Sequence, residues 1–114
     1  IIDFHAESTM EKEALAFYVD GRVSVFAGTH THTQTADERI LPNGTAYITD
    51  LGMIGAKESV IGGSPFTAIT RTKSQVPQRV EVLEDGVAIF CGLVAEIDTE
   101  IKKAVSVKRI QISS

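Results

Sequence analysis

The 114 residues include a single cysteine, so no disulfide framework staples the chain, and Cys91 within VAIFCGLVAEI reads as a small buried hydrophobe rather than a reactive thiol. No apolar run approaches the roughly 20 residues that a membrane-spanning helix needs, and no charged-then-apolar leader is present, so no membrane partner and a cytoplasmic address are expected. Lys and Arg form no band: the 11 basic residues are scattered among 15 acidic ones for a formal net charge of −4. A nucleic-acid polymer is therefore not an expected partner, and any phosphate recognition must come from local groups. Internal repeats, low-complexity tracts and linkers are also lacking. One domain over residues 1–114, or one portion of a larger domain, is the expectation.

What is present suits a packed globular unit, with 43% hydrophobic and 23% charged residues. The chain opens as IIDFH, which reads as a buried strand met in mid-protein. Ser8 or Thr9 caps a helix with Glu11 in its first turn, and Met10, Ala14, Phe17 and Tyr18 are expected to face a sheet while Glu11, Lys12 and Glu13 face water. Asp20 and Gly21 stop that helix, and Arg22 to Gly28 form a second, nearly continuous apolar strand, completing a βαβ unit. ILPNGTAYIT predicts a hairpin around Pro42, Asn43 and Gly44, with positive φ at the Asn-Gly pair. Residues 50–63, rich in glycine, read as a long loop. Ser64 and Pro65 open a helix to about Lys73, after which RVEVLE, VAIFCGLVAEID and AVSVKRIQI predict three antiparallel strands. The fold class is α/β with α+β character, a layered sandwich.

All three histidines, His5, His30 and His32, fall at the C-terminal ends of the two βαβ strands, where open α/β sheets bind ligands. If strand geometry persists, His30 and His32 project to one side with Cα atoms about 7 Å apart, and the crossover brings His5 to the same rim. Neutral imidazoles suit Zn, Fe or Mn, singly or as two adjacent ions. Such ligands need an acceptor for the second ring nitrogen, and Asp3, Glu7, Asp37 and Asp50 are the candidates. Thr31 and Thr33 are candidates for binding phosphate oxygens, ahead of Thr29 and Thr35. Gln34 and Arg39 are either substrate contacts or surface polar residues.

The segments DFHAE at 3–7, GTHTHTQTADERILPNGTAYITDLGM at 28–53 and SVIG at 59–62 resemble the bacterial calcineurin-like metallophosphoesterase family of 2',3'-cyclic nucleotide 2'-phosphodiesterases, over nearly the whole chain. The resemblance implies the C-terminal part of a four-layer α/β/β/α sandwich holding two metal ions, Fe or Mn foremost and Zn as the alternative. It implies that His5 and His30 ligate one ion and His32 the other, and that the ions activate a water for attack on a small phosphodiester. The chain departs from the family pattern in lacking the Asp, bridging acid, Asn and leaving-group His expected of an N-terminal half. No Asn-His pair exists here, and the only Asn is Asn43. The missing half is thus the expected partner, a homo-oligomer stays open, and the isolated chain is expected to be inactive. Two other readings are a non-catalytic fragment or interaction module, and a single-zinc hydrolase using all three histidines. The strands IIDF and VSVFAG, both interior in character, should leave aggregating edges if their neighbours are removed.

Overall fold

A computed structural model describes all 114 residues. Two sheets and two helices make up the mixed α/β fold. The first sheet, ordered β1-β2-β4-β3, comprises β1 (Ile2–His5), β2 (Val25–Thr29), β3 (Arg39–Ile40) and β4 (Ala46–Ile48). β1 and β4 both run parallel to β2, and β3 closes the far edge antiparallel to β4. The second sheet, ordered β5-β6-β7, is antiparallel: β5 (Ile54–Ala56), β6 (Ala88–Asp98) and β7 (Lys103–Ser113). Neither helix is long and apolar enough to cross a membrane.

Helix α1 (Thr9–Tyr18) carries the βαβ crossover. Its first turn is capped by Ser8, whose hydroxyl accepts from the Glu11 N–H. The buried face is not the expected stripe: Met10, Phe17 and Tyr18 are exposed, while Lys12, Ala16 and Val19 are buried. The true stripe is offset because Lys12 finds a buried carboxylate partner beneath the helix, so an apparently solvated charge lies on the inner face. Ala16, Val19, Phe26, Leu41 and Tyr47 form the core, with Phe26 and Tyr47 stacked at 5.8 Å. Each large side chain of this kind contributes about 1.5–3 kcal/mol when fully buried.

The hairpin between β3 and β4 is present, but only Gly44 takes positive φ, at 100°. Asn43 does not take positive φ, and the turn is held from outside: the Asp20 carboxylate accepts from the N–H groups of Asn43 and Thr45 at 2.8 and 3.2 Å. The 50–63 segment is not all loop, since β5 lies within it. Conversely, RVEVLE forms no strand beyond a single bridge of Val82 to Gly63. Its alternation is strand-like, but β5 already occupies the edge of β6 that it would pair with. Helix α2 (Pro65–Ser74) is present and buries none of its residues.

The two sheets meet along one side, where Ala104 N–H donates to Gly44 C=O at 2.8 Å and Ser24 Oγ donates to Lys102 C=O at 3.0 Å. Beside that contact lies an open, largely apolar cleft of about 510 Å³ whose lining includes Ile1, Ser24, Val25, Leu51, Leu93 and Ile97. Cys91 is buried as expected.

Candidate metal centre

The parallel pairing of β1 with β2 sets His5 opposite Thr29 at the strand ends. His5 Nδ1 lies 3.2 Å from Thr29 Oγ1, which donates its proton to Asp3 Oδ1 at 3.1 Å. A hydroxyl whose proton is spent can only accept, so the His5 proton sits on Nδ1 and Nε2 presents its lone pair outward. That Nε2 is 3.2 Å from Nδ1 of His30, with the rings edge to face at 5.1 Å. Two nitrogens bound tetrahedrally to one ion at about 2.0–2.1 Å lie about 3.3–3.4 Å apart. At 3.2 Å the two rings are joined by an N–H···N hydrogen bond at an exposed rim, a separation close to, and slightly shorter than, that of two nitrogens sharing one ion.

His32 is exposed near that rim, but its ring does not join the pair. β2 ends at Thr29, and strand geometry does not persist: φ is 145° at His30 and 64° at His32. His32 Nδ1 instead faces the Ile61 carbonyl at 3.1 Å. No three His, Cys, Asp or Glu side chains converge anywhere in the chain, so the three-histidine arrangement of a single-zinc site is not assembled.

The loop is bent by Asp50, which is fully buried. Its Oδ2 accepts from Lys12 Nζ at 3.0 Å and from Thr31 N–H at 2.9 Å, and its Oδ1 accepts from Gly52 N–H at 2.9 Å. Burial alone would push its pKa up, but these donors hold it below the ordinary carboxylate value. Asp50 was a candidate acceptor for a histidine; its oxygens are taken up by the loop and the helix instead. Asp37 is likewise committed. Burial opposes its ionisation, yet bonds from Thr35 and Thr49 keep its pKa low. Among the four candidate acids only Asp3 reaches a histidine, through Thr29.

Gly28, just before these residues, is required by close packing: a Cβ there would meet Thr49 O at 1.9 Å. Thr31 Oγ1 donates to Thr33 C=O and accepts from Thr33 N–H, so its hydroxyl is consumed within the turn. Gln34 reaches across to the Gly92 and Ile110 carbonyls of the second sheet at 3.0 and 3.2 Å. Arg39 pairs with Glu13 and Asp37 and stacks on Tyr47 at 4.7 Å. Both are structural ties rather than free recognition groups. Sequence reasoning missed Lys12 and understated Thr29. The signal for Lys12 was its place four and seven residues before Ala16 and Val19, which puts all three on one helix face.

A family model described as YmdB-like protein matches residues 1–110. The 2',3'-cyclic-nucleotide 2'-phosphodiesterase of Bacillus subtilis (strain 168) is 54% identical over 112 residues, covering 98% of this chain and 42% of that protein. A crystal structure described as a novel phosphatase from Mycoplasma pneumoniae superimposes with a TM-score of 0.92 at 42% identity, covering 99% of this chain and 40% of that one. A hypothetical protein from Thermus thermophilus gives a TM-score of 0.90 at 39% identity, covering 97% of this chain and 43% of that one. The chain thus spans about two-fifths of the length of the relatives it matches.

Proposed function

Because the chain belongs to the YmdB-like protein family, we propose that it is part of a metal-dependent phosphodiesterase and supplies that enzyme's histidine ligands. The carrying observation is the 3.2 Å separation of His5 Nε2 and His30 Nδ1, backed by the Thr29–Asp3 relay. The substrate class is a small phosphodiester such as a 2',3'-cyclic nucleotide, the chemistry for which the B. subtilis relative is named. His5 and His30 hold one ion and His32 a second, Fe or Mn foremost and Zn as the alternative. When bound beside these histidines, such ions would supply positive charge for the phosphate and would make a water nucleophilic at neutral pH.

The chain's own contribution is orientation. Asp3, through Thr29, fixes the His5 tautomer and the direction of its ring. Asp50 draws Thr31 inward so that the loop turns back after His30. Thr33 Oγ1 makes no hydrogen bond within the chain and is free to donate to a phosphate oxygen, whereas Thr31 is not. The remaining ligands and the acid that protonates the leaving group come from the rest of the enzyme.

The test uses the full-length protein. Metal analysis should find two ions per chain, and hydrolysis of 2',3'-cyclic AMP should collapse in His5→Ala and His30→Ala with loss of bound metal. Full activity in a metal-free preparation would overturn the reading, and unchanged activity in His32→Ala would remove that ligand. One observation also favours an inactive module when the chain stands alone: no three-donor cluster is complete within it. Turnover by the purified 114 residues would refute that second reading.

A further inference from the structure

Residues 59–63 fold into a turn with strained backbone at its tip. Val60 and Gly63 exchange backbone hydrogen bonds, both at 2.9 Å, and the two residues between them, Ile61 and Gly62, have φ of 49° and 91°. A two-residue hairpin turn with positive φ at both positions normally begins with Asn, Asp or Gly. A β-branched residue in left-handed backbone is a genuine outlier, and outliers of this kind persist where the surroundings enforce them, often at functional sites. Ile61 is 61% exposed, so burial within these 114 residues does little to compensate for the strain.

The turn does have a product. It aims the Ile61 carbonyl at His32 Nδ1, 3.1 Å away. A carbonyl only accepts, so this contact keeps the His32 proton on Nδ1 and leaves Nε2 as a lone-pair donor with a fixed direction. Ser59 braces the turn from behind, its hydroxyl accepting from Gly62 N–H at 3.0 Å and donating to the Ala56 carbonyl. We infer that Ile61 is a positioning residue: the strained Ile61–Gly62 turn selects the tautomer and direction of His32 before any ligand arrives. The inference deepens, and rests on, the reading of His32 as a ligand.

The readout is the tautomer itself, by two-bond ¹⁵N–¹H correlation of ¹⁵N-histidine in the metal-free full-length protein. His32 should be predominantly Nδ1-protonated. In Ile61→Asn, which tolerates the left-handed backbone, the tautomer should be retained and Tm should rise by about 2–4 °C. In Ile61→Pro, whose φ is fixed near −65°, the carbonyl must swing away and the proton should move to Nε2, the form a free imidazole prefers. Should that variant not fold, inserting a glycine between Ile61 and Gly62 breaks the same contact and should give the same shift. An Nε2-protonated His32 in the wild type, an unchanged tautomer in a folded turn variant, or no gain in Tm for Ile61→Asn would overturn the inference. Retained hydrolysis in His32→Ala would sink the ligand reading while leaving the tautomer result standing, so the two failures are distinguishable.

Discussion

The two sheets are stabilised in different ways. Of the 16 buried residues, 13 lie between Lys12 and Asp50, and only Gly63, Cys91 and Ala104 lie beyond. Within these 114 residues the parallel sheet therefore holds most of the buried side chains, whereas the antiparallel sheet is joined chiefly by its backbone ladder. Ile54, Phe90 and Ile112 stand in one row across β5, β6 and β7, each at least 42% exposed. Only the parallel sheet can hold a charge pair away from water, and it places its histidines on that foundation. The difference teaches that the candidate site is built on the part of the chain that packs against itself, not on the larger and better hydrogen-bonded hairpin.

The contrast can be broken most forcefully at Asp50. Asp50→Ala in the full-length protein should cost about 3–5 kcal/mol, because it strands the Lys12 ammonium in the interior. Denaturant unfolding with an unchanged m-value would measure it, and a loss under 1 kcal/mol would show that water reaches the pair.

Acid should act on the same region next. The pKa values of Asp37 and Asp50 are both below their ordinary value of 3.8 in the folded state. Their stabilisation is therefore complete above the unfolded pKa and is lost as pH falls through the depressed folded values, below about pH 4. Thermal melts from pH 6 to pH 2 should show a steep loss in that lower window, reduced in Asp50→Asn. A loss centred well above pH 4 would show that groups other than these two carboxylates control it.

A smaller change, confined to the rim, is expected from Thr29→Val. Removing the link between His5 and Asp3 should weaken metal affinity about 10–100-fold with little change in melting temperature. Unaltered affinity by competition with a chelator would mean that the relay does not support the ligand. The smallest effect belongs to the junction of the sheets. Glu38→Ala removes the part-exposed pair with Arg109 and should shift stability by only about 0–1 kcal/mol; a larger loss would make that contact a true hinge between the halves.

Sequence was most legible where local chemistry acts alone. Ser8 before an acidic turn announced α1, Ser64-Pro65 announced α2, and the long alternating runs announced β6 and β7. It was least legible where a distant partner decides. Lys12 looked solvated because Asp50 lies 38 residues away. Ile54–Ala56 looked like loop because its glycine-rich surroundings hide a strand that only β6 makes stable, and RVEVLE alternated without a free edge to join. At the site, the strand ends that carry His5 and His30 were readable from the βαβ pattern. The separate orientation of His32 was not, since it depends on a backbone turn with no side-chain signature beyond Gly62.

Asp50 grips Lys12 of the first helix with the same oxygen that grips Thr31 beside the histidines. Helix docking and loop shape are thus two readings of one equilibrium, and whatever favours one favours the other by thermodynamic reciprocity. An occupant that tightens residues 30–33 should slow amide hydrogen exchange along α1, a helix it never touches. A loosened helix should, in turn, be felt as a weaker grip at the rim.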